Sequence, residues 1–173
     1  MVKNDRWENR NSSTNNDNYL VWRLNISRSE QKVFLYDLKS NQQVEISNQA
    51  ANFSGQNFDK NDENYFYTTN YDSECYYLMS YNLKNGERSI EYKTNWDVAF
   101  SYLSKNNSYR VIAVNEDAQN KLTIKNMSDQ SDLNLIGFEN MNINNVGFSE
   151  DEKFLRVSAR SPNSPGYIYT YEL

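Results

Sequence analysis

An all-β fold of about four four-stranded antiparallel blades, a partial β-propeller, is predicted by three features of this chain. One is an internal period of 45 residues. Another is a succession of short aromatic or β-branched runs separated by Asn, Asp, Ser and Lys clusters. The third is that no apolar stripe of 3.6-residue spacing with helix caps appears anywhere. A four-stranded unit of ~40–50 residues is the size of one propeller blade.

The period rests on markers that do not depend on one another. Phe58-Asp59-Lys60-Asn61-Asp62, Leu103-Ser104-Lys105-Asn106-Asn107 and Phe148-Ser149-Glu150-Asp151-Glu152 each place an apolar residue before a polar tetrad, with lead residues 45 apart. Tyr77, Leu122 and Tyr167 repeat the same interval within later strands. Upstream, Tyr36-Asp37-Leu38-Lys39 answers Tyr81-Asn82-Leu83-Lys84, again 45 residues on.

Taken in order, residues 1–18 read as a polar N-terminal segment, followed by blades over about 19–47, 50–93, 96–137 and 143–173. The first copy, Tyr19–Ile46, lacks an innermost strand unless the Trp7 region supplies one. The second holds strands at Tyr65–Thr69, Tyr76–Met79 and Ser89–Tyr92. Its Asn85-Gly86 pair is a hairpin signal, because both residues tolerate positive φ. The third is the clearest, with strands near 97–103, 109–115, 121–126 and 132–136. Its Val111-Ile112-Ala113-Val114 run is apolar throughout, as in a strand covered on both faces. The fourth ends at its third strand. Two ways of completing the fold stay open: a four-bladed ring whose ends complete one another, or a piece of a longer protein, which is the favoured reading. The alternative architecture is a β-sandwich with accidental spacing.

Composition supports a packed domain. Fourteen Tyr, eight Phe and three Trp give large buriable faces that disordered chains lack. The polarity comes from 28 asparagines, a residue suited to turns. The net charge of −5, with no basic block, argues against a nucleic-acid partner. No segment nears the ~20 apolar residues of a membrane span. No apolar stretch follows the N-terminal residues as in a secretory signal, leaving cytoplasm and periplasm both open.

The chain contains no histidine, so Ser-His-Asp and Cys-His-Asn machinery is excluded within it. One cysteine, Cys75, can form neither an intramolecular disulfide nor a thiolate zinc site. It reads as a small buried or half-buried apolar residue in a Tyr-rich strand pattern. No nucleophile elbow, phosphate-binding loop or dinucleotide fingerprint occurs among only five glycines. The expectation is a chain with no catalytic residue, cofactor or metal of its own.

Asn95-Trp96-Asp97-Val98-Ala99-Phe100-Ser101-Tyr102-Leu103-Ser104, continuing from Ser108 through Ala118, resembles a blade in the N-terminal propeller of bacterial prolyl-oligopeptidase-family serine peptidases. Ser161-Pro162-Asn163-Ser164-Pro165-Gly166-Tyr167-Ile168-Tyr169 is similar to the strand-turn-strand of the following blade. TolB-type propellers share the pattern, with a Ser-Pro-Asp-Gly turn before the second strand. Here Ser104-Lys105-Asn106-Asn107 and Ser149-Glu150-Asp151-Glu152 hold that place without Pro or Gly. The resemblance implies a non-catalytic propeller that caps a peptidase active site and filters substrates. Its implied partners are the missing α/β-hydrolase domain, the remaining blades and a peptide substrate. The alternative is a self-standing TolB-like or WD-like propeller for protein–protein interaction.

The residues that could carry more than packing are few. Arg110 and Arg160 are the weak candidates for gripping a substrate carboxylate. Glu116-Asp117 offers oxygen ligands for a cation, though a solvated loop explains the pair better. Tyr65, Phe66, Tyr67, Tyr76, Tyr77 and Tyr81 could form a stacking platform, with blade-to-blade packing the simpler expectation. Trp96 is expected to anchor the start of its blade. Sequons at Asn11, Asn25, Asn52, Asn106 and Asn126 carry little weight in so Asn-rich a chain.

Overall fold

The computed structural model describes residues 9–13, 18–47, 49–138, 141–161 and 164–173. Among them the chain forms strands and no helix. The strands are β1 (Asn9–Ser13), β2 (Tyr19–Asn25), β3 (Gln31–Asp37) and β4 (Gln42–Glu45), then β5 (Phe53–Phe58), β6 (Asn64–Thr69), β7 (Tyr77–Asn82) and β8 (Arg88–Tyr92). They continue as β9 (Asp97–Leu103), β10 (Tyr109–Glu116) and β11 (Gln119–Asn126), then β12 (Asn142–Phe148), β13 (Phe154–Ser161) and β14 (Ser164–Glu172).

Each group is one antiparallel meander, giving four sheets in which sequence neighbours pair: β1 to β4, β5 to β8, β9 to β11, and β12 to β14. The chain divides into two compact units, Met1–Asn95 and Trp96–Leu173. The first two sheets belong to one unit and the last two to the other.

The first sheet has the innermost strand that the sequence left uncertain, because β1 pairs with β2. Trp7 itself lies outside the described residues, as do Pro162 and Asn163. The third sheet departs from the expected fourth strand at 132–136. Only an isolated bridge between Lys125 and Asp132 forms there, with the Leu133 N–H donating to the Ile124 carbonyl. Asp132 and Asn134 are poor strand formers, and Gly137 at φ 91° turns the chain out of the extended region. Among the described residues the last sheet has three strands.

The central strands are β-branched or aromatic and are covered on both faces. Along β10, Val111 and Ala113 are fully buried on one side while Ile112 and Val114 are buried on the other. In the first unit Val21, Val33 and Leu35 of the first sheet, with Ile46 just after β4, pack on Phe53, Phe58, Tyr65, Tyr67 and Tyr81 of the second. In the second unit Val111 and Ile124 pack on Val146, Leu155, Val157 and Ala159. Fully burying one such side chain contributes about 1.5–3 kcal/mol.

The period reappears as hydrogen bonding. Leu38, Leu83, Met127 and Leu173 each donate their N–H to the carbonyl of Asn18, Glu63, Ser108 and Lys153 in turn. The polar tetrads close identical turns: Asp62, Asn107 and Glu152 donate to the carbonyls of Asp59, Ser104 and Ser149. Asp62, Asn107 and Glu152, spaced by 45, all have positive φ, at 53°, 62° and 56°. This is the place where a Ser-Pro-Asp-Gly turn carries glycine, so the backbone bend survives although the glycine does not. Later turns are closed by Asp37, Asn82 and Asn126, whose side-chain oxygens accept N–H groups two residues on. The Lys39 and Ser40 N–H groups hold the Asp37 carboxyl below its usual range.

The turn between β10 and β11 holds a residue poorly suited to its backbone. Asp117 and Ala118 both have positive φ there, at 51° and 59°. Alanine pays the Cβ–carbonyl clash of the left-handed region, worth about 1–2 kcal/mol. Ala118→Gly is therefore expected to stabilise the protein by about 1 kcal/mol. A raised urea midpoint at unchanged slope is the outcome that checks it.

Candidate functional site

The two arginines singled out from the sequence are placed on opposite sides of the second unit. Val111 and Ala159 share the core between the third and fourth sheets. Arg110 and Arg160 are their immediate neighbours along β10 and β13. Side chains alternate along a strand, so each arginine points away from that core. Arg110 is 5% exposed and occupies, one period apart, the place of Tyr65 and Leu155. Arg160 is exposed beside Asn142 of β12. The structure does not bring the pair together.

The remaining candidates resolve into packing and turns. Glu116 forms an ion pair with Lys121 at 2.8 Å, and Asp117 lies in the positive-φ turn. No group of three or more His, Cys, Asp or Glu able to hold a metal occurs among the described residues. Tyr65, Tyr67 and Tyr81 lie in the core of the first unit, and Phe66 and Tyr77 are buried. Phe58 and Tyr65 have ring centroids 4.8 Å apart, and Tyr65 and Tyr67 6.3 Å. Cys75 sits in the loop before β7 rather than in a strand, its thiol 3.2 Å from the Asn95 carbonyl. Trp96 stands 42% exposed ahead of β9, and the residue buried at that strand's start is Val98.

What the tertiary structure assembles instead is a set of polar bolts between neighbouring sheets. In the first unit the Arg88 guanidinium donates through Nε and Nη2 to the Ile46 carbonyl, at 3.3 and 2.9 Å, and lies 5.0 Å from the Tyr81 ring centre. Burial pushes the adjacent Tyr67 phenol up to about 12, with the Arg88 charge opposing. In the second unit the Tyr102 phenol donates to the Val146 carbonyl. Burial pushes its pKa up to about 12 as well. Both phenols stay protonated at neutral pH and so are not bases; the Tyr102 hydroxyl donates, whereas the Tyr67 oxygen accepts from Arg88, whose guanidinium can only donate.

The third bolt joins the repeated turns themselves. Glu152, 8% exposed, accepts the Asn106 backbone N–H across from its own sheet. Burial works against its charge, but hydrogen bonds from Ser108, Asn106 and Ser104 outweigh it and hold the carboxyl below its ordinary value. The exposed pair of Lys105 and Glu150, 3.2 Å apart, spans the same two turns and adds little. Sequence alone marked Glu152 only as one member of a tetrad. A glutamate at a positive-φ position is the signal that could have flagged it.

No protein-family model and no curated protein matches this chain. Solved structures do. TolB from Acinetobacter baumannii aligns with a TM-score of 0.64 and 12% identity over 92% of this chain and 39% of its own. A prolyl endopeptidase aligns with a TM-score of 0.72 and 11% identity over 92% of this chain and 24% of its own. A protein described as a TolB of Agrobacterium tumefaciens aligns with a TM-score of 0.68 and 6% identity over 93% of this chain and 60% of its own. The chain thus spans less than two thirds of each of these structures, and the likeness establishes a TolB-like β-propeller fold, present in part.

The Glu152 bolt has a defined pH signature. A folded-state pKa below the ordinary 4.5 means that its stabilisation is complete above that value and is lost as pH falls through the lowered one. Glu152→Gln is expected to cost about 1–3 kcal/mol at pH 7, through lost charge-assisted hydrogen bonds. It should also flatten the acid limb of stability. Urea midpoints measured from pH 7 down to about pH 3 for both proteins decide this; parallel curves would count against the bolt.

Proposed function

We propose that this chain is the non-catalytic propeller part of a prolyl-oligopeptidase-type serine peptidase, acting as scaffold and substrate gate. The observation that carries the reading is the alignment of 92% of the chain with a prolyl endopeptidase at a TM-score of 0.72. The blade-like stretch from Asn95 to Ala118 adds to it from the sequence side. The described residues form propeller sheets alone, and the chain has no histidine, so proton transfer of the triad type would come from another domain. Binding and exclusion are the work left to sheets whose interiors are filled by side chains. No described helix is long and apolar enough to cross a membrane.

The second reading is a self-standing propeller for protein–protein interaction. Two of the structures described above bear the name TolB, which supports this reading. The two readings predict different behaviour of the 173-residue chain. A propeller that stands alone unfolds in one cooperative urea transition as a monodisperse species. A peptidase part exposes sheet faces and edges that drive association.

The coding sequence that follows the Leu173 codon supplies the sharper test. The peptidase reading expects a G-x-S-x-G element and a later histidine in frame, and an immediate stop followed by an unrelated gene would overturn it. The isolated chain is expected to show no turnover of proline-containing peptides, checked with a fluorogenic substrate.

A further inference from the structure

We infer that Asn85 is a site of spontaneous covalent modification, deamidation through the Gly86 backbone nitrogen, and that the closed turn between β7 and β8 holds the reaction off until it opens. Asn85-Gly86 is the one Asn-Gly pair in the chain. Asparagine is the thermolabile member, and glycine adds no side chain to keep its backbone nitrogen away from the amide carbon.

The step uses only the chain and water. The Gly86 nitrogen gives up its proton to solvent and attacks the Asn85 Cγ. The Cγ–Nδ2 bond breaks, ammonia leaves after taking a proton back from solvent, and a cyclic imide remains. Water then opens that ring. Attack at the side-chain carbonyl leaves aspartate, and attack at the main-chain carbonyl leaves isoaspartate.

In the folded turn each reacting group is held. Asn85 is exposed, so water reaches it. The Gly86 N–H donates to the Asn82 carbonyl at 2.9 Å. The Asn85 Oδ1 accepts the Glu87 N–H at 2.9 Å, and its Nδ2 donates to the Glu87 carboxylate at 3.3 Å. Asn82 closes the turn from both sides. Its N–H donates to the Glu87 carbonyl, and its Oδ1 accepts the N–H groups of Lys84 and Asn85. Swinging the amide carbon onto the Gly86 nitrogen breaks the bonds to Glu87 and to the Asn82 carbonyl, so the reaction follows local opening.

The chain holds its own likeness of one product. In the turn after β11, Asn126 donates to the Ser131 carbonyl and Gln130 to that of Asn126, both at 2.8 Å. Gln130 takes the positive φ, 62°, that Gly86 takes at 74°. Asp129 stands in the place of Asn85, and its Oδ1 accepts the Ser131 N–H at 2.9 Å. The hydroxyl and N–H of Ser131 hold that carboxyl below its ordinary value. An aspartate at position 85 therefore fits the turn, losing only the bond to the Glu87 carboxylate. Isoaspartate does not fit, because it adds a methylene to the main chain between the closing bonds. The turn leads directly into Arg88, whose guanidinium reaches the Ile46 carbonyl. One product is thus silent, and the other loosens the bolt between the first and second sheets. None of this depends on the peptidase reading, which stands or falls with the coding sequence.

The test ages the full chain beside a peptide of residues 79–91 at mildly alkaline pH, in buffer and in urea above the unfolding midpoint. Mass spectrometry maps the products, with fragmentation that tells aspartate from isoaspartate. Asn85 is expected to react about tenfold or more slower in the folded chain than in the peptide, and at the peptide's rate in the same urea. Asn82→Ala, which removes the acceptor of two turn N–H groups, should speed the reaction in the folded chain and leave it unchanged in urea. Gly86→Ala should slow it in the peptide. The isoaspartate form, separated by chromatography, should show a lower urea midpoint than the parent, whereas Asn85→Asp keeps the parent's midpoint. Four results overturn the inference: no reaction at Asn85 in the peptide, equal rates in the folded chain and the peptide, another asparagine reacting ahead of Asn85 in urea, or an isoaspartate form as stable as Asn85→Asp.

Discussion

The structure depends on the two-sidedness of its sheets. Strands such as β6 and β10 are apolar on both faces, so neither could stand in a sheet with one side in water. Within the first unit the second sheet turns Tyr65, Tyr67 and Tyr81 to the first, while Phe66, Thr68 and Leu78 are buried on its other side. Within the second unit the third sheet turns Val111 and Ala113 one way, and Ile112 and Val114 the other. Within each unit, stacking one sheet on the next covers one such face, as the two cores show, and the same supersecondary unit recurs at a fixed interval along the chain.

Between the stacked faces, polar groups fix the spacing. Arg88 reaching the Ile46 carbonyl, Tyr102 reaching the Val146 carbonyl and Glu152 reaching the 104–108 turn are three different chemistries at three sheet edges. Each places a donor or carboxylate that would be costly to bury alone against a backbone group of the next sheet. Glu152 shows how such contacts offset strain. Its backbone sits at φ 56°, a region unfavourable for a residue with a Cβ, and its carboxylate is repaid by hydrogen bonds from the neighbouring turn. Asparagine and aspartate likewise reach positive φ at Asn41, Asp62, Asp72, Asn107 and Asp117 without glycine.

These features bear on function through what they leave over. Core tyrosines that could have formed a stacking platform are used in packing, and the acidic pair at the end of β10 is used in a turn. The chemistry available to a partner lies at sheet edges and exposed faces, where backbone groups and single apolar residues such as Ile168 meet solvent.

The sequence by itself determined the fold class, the 45-residue unit and most strand positions, because hydrophobic alternation and turn chemistry are local properties that repeat when the unit repeats. Val111 to Val114 could be read as a doubly covered strand from composition alone, and Asn85-Gly86 as a turn from its φ preference. Whether residues 132–136 would pair as a strand was not legible, since an Asp-Leu-Asn-Leu-Ile run carries both signals and the bend at Gly137 decides between them. Only the tertiary structure decided the placing of Arg110 and Arg160 on opposite sides, the burial of Glu152, and the reach of Arg88 to the Ile46 carbonyl. Those are relations between residues of different strands or sheets, and side-chain direction and edge occupancy follow from pairing register, which one-dimensional spacing does not contain.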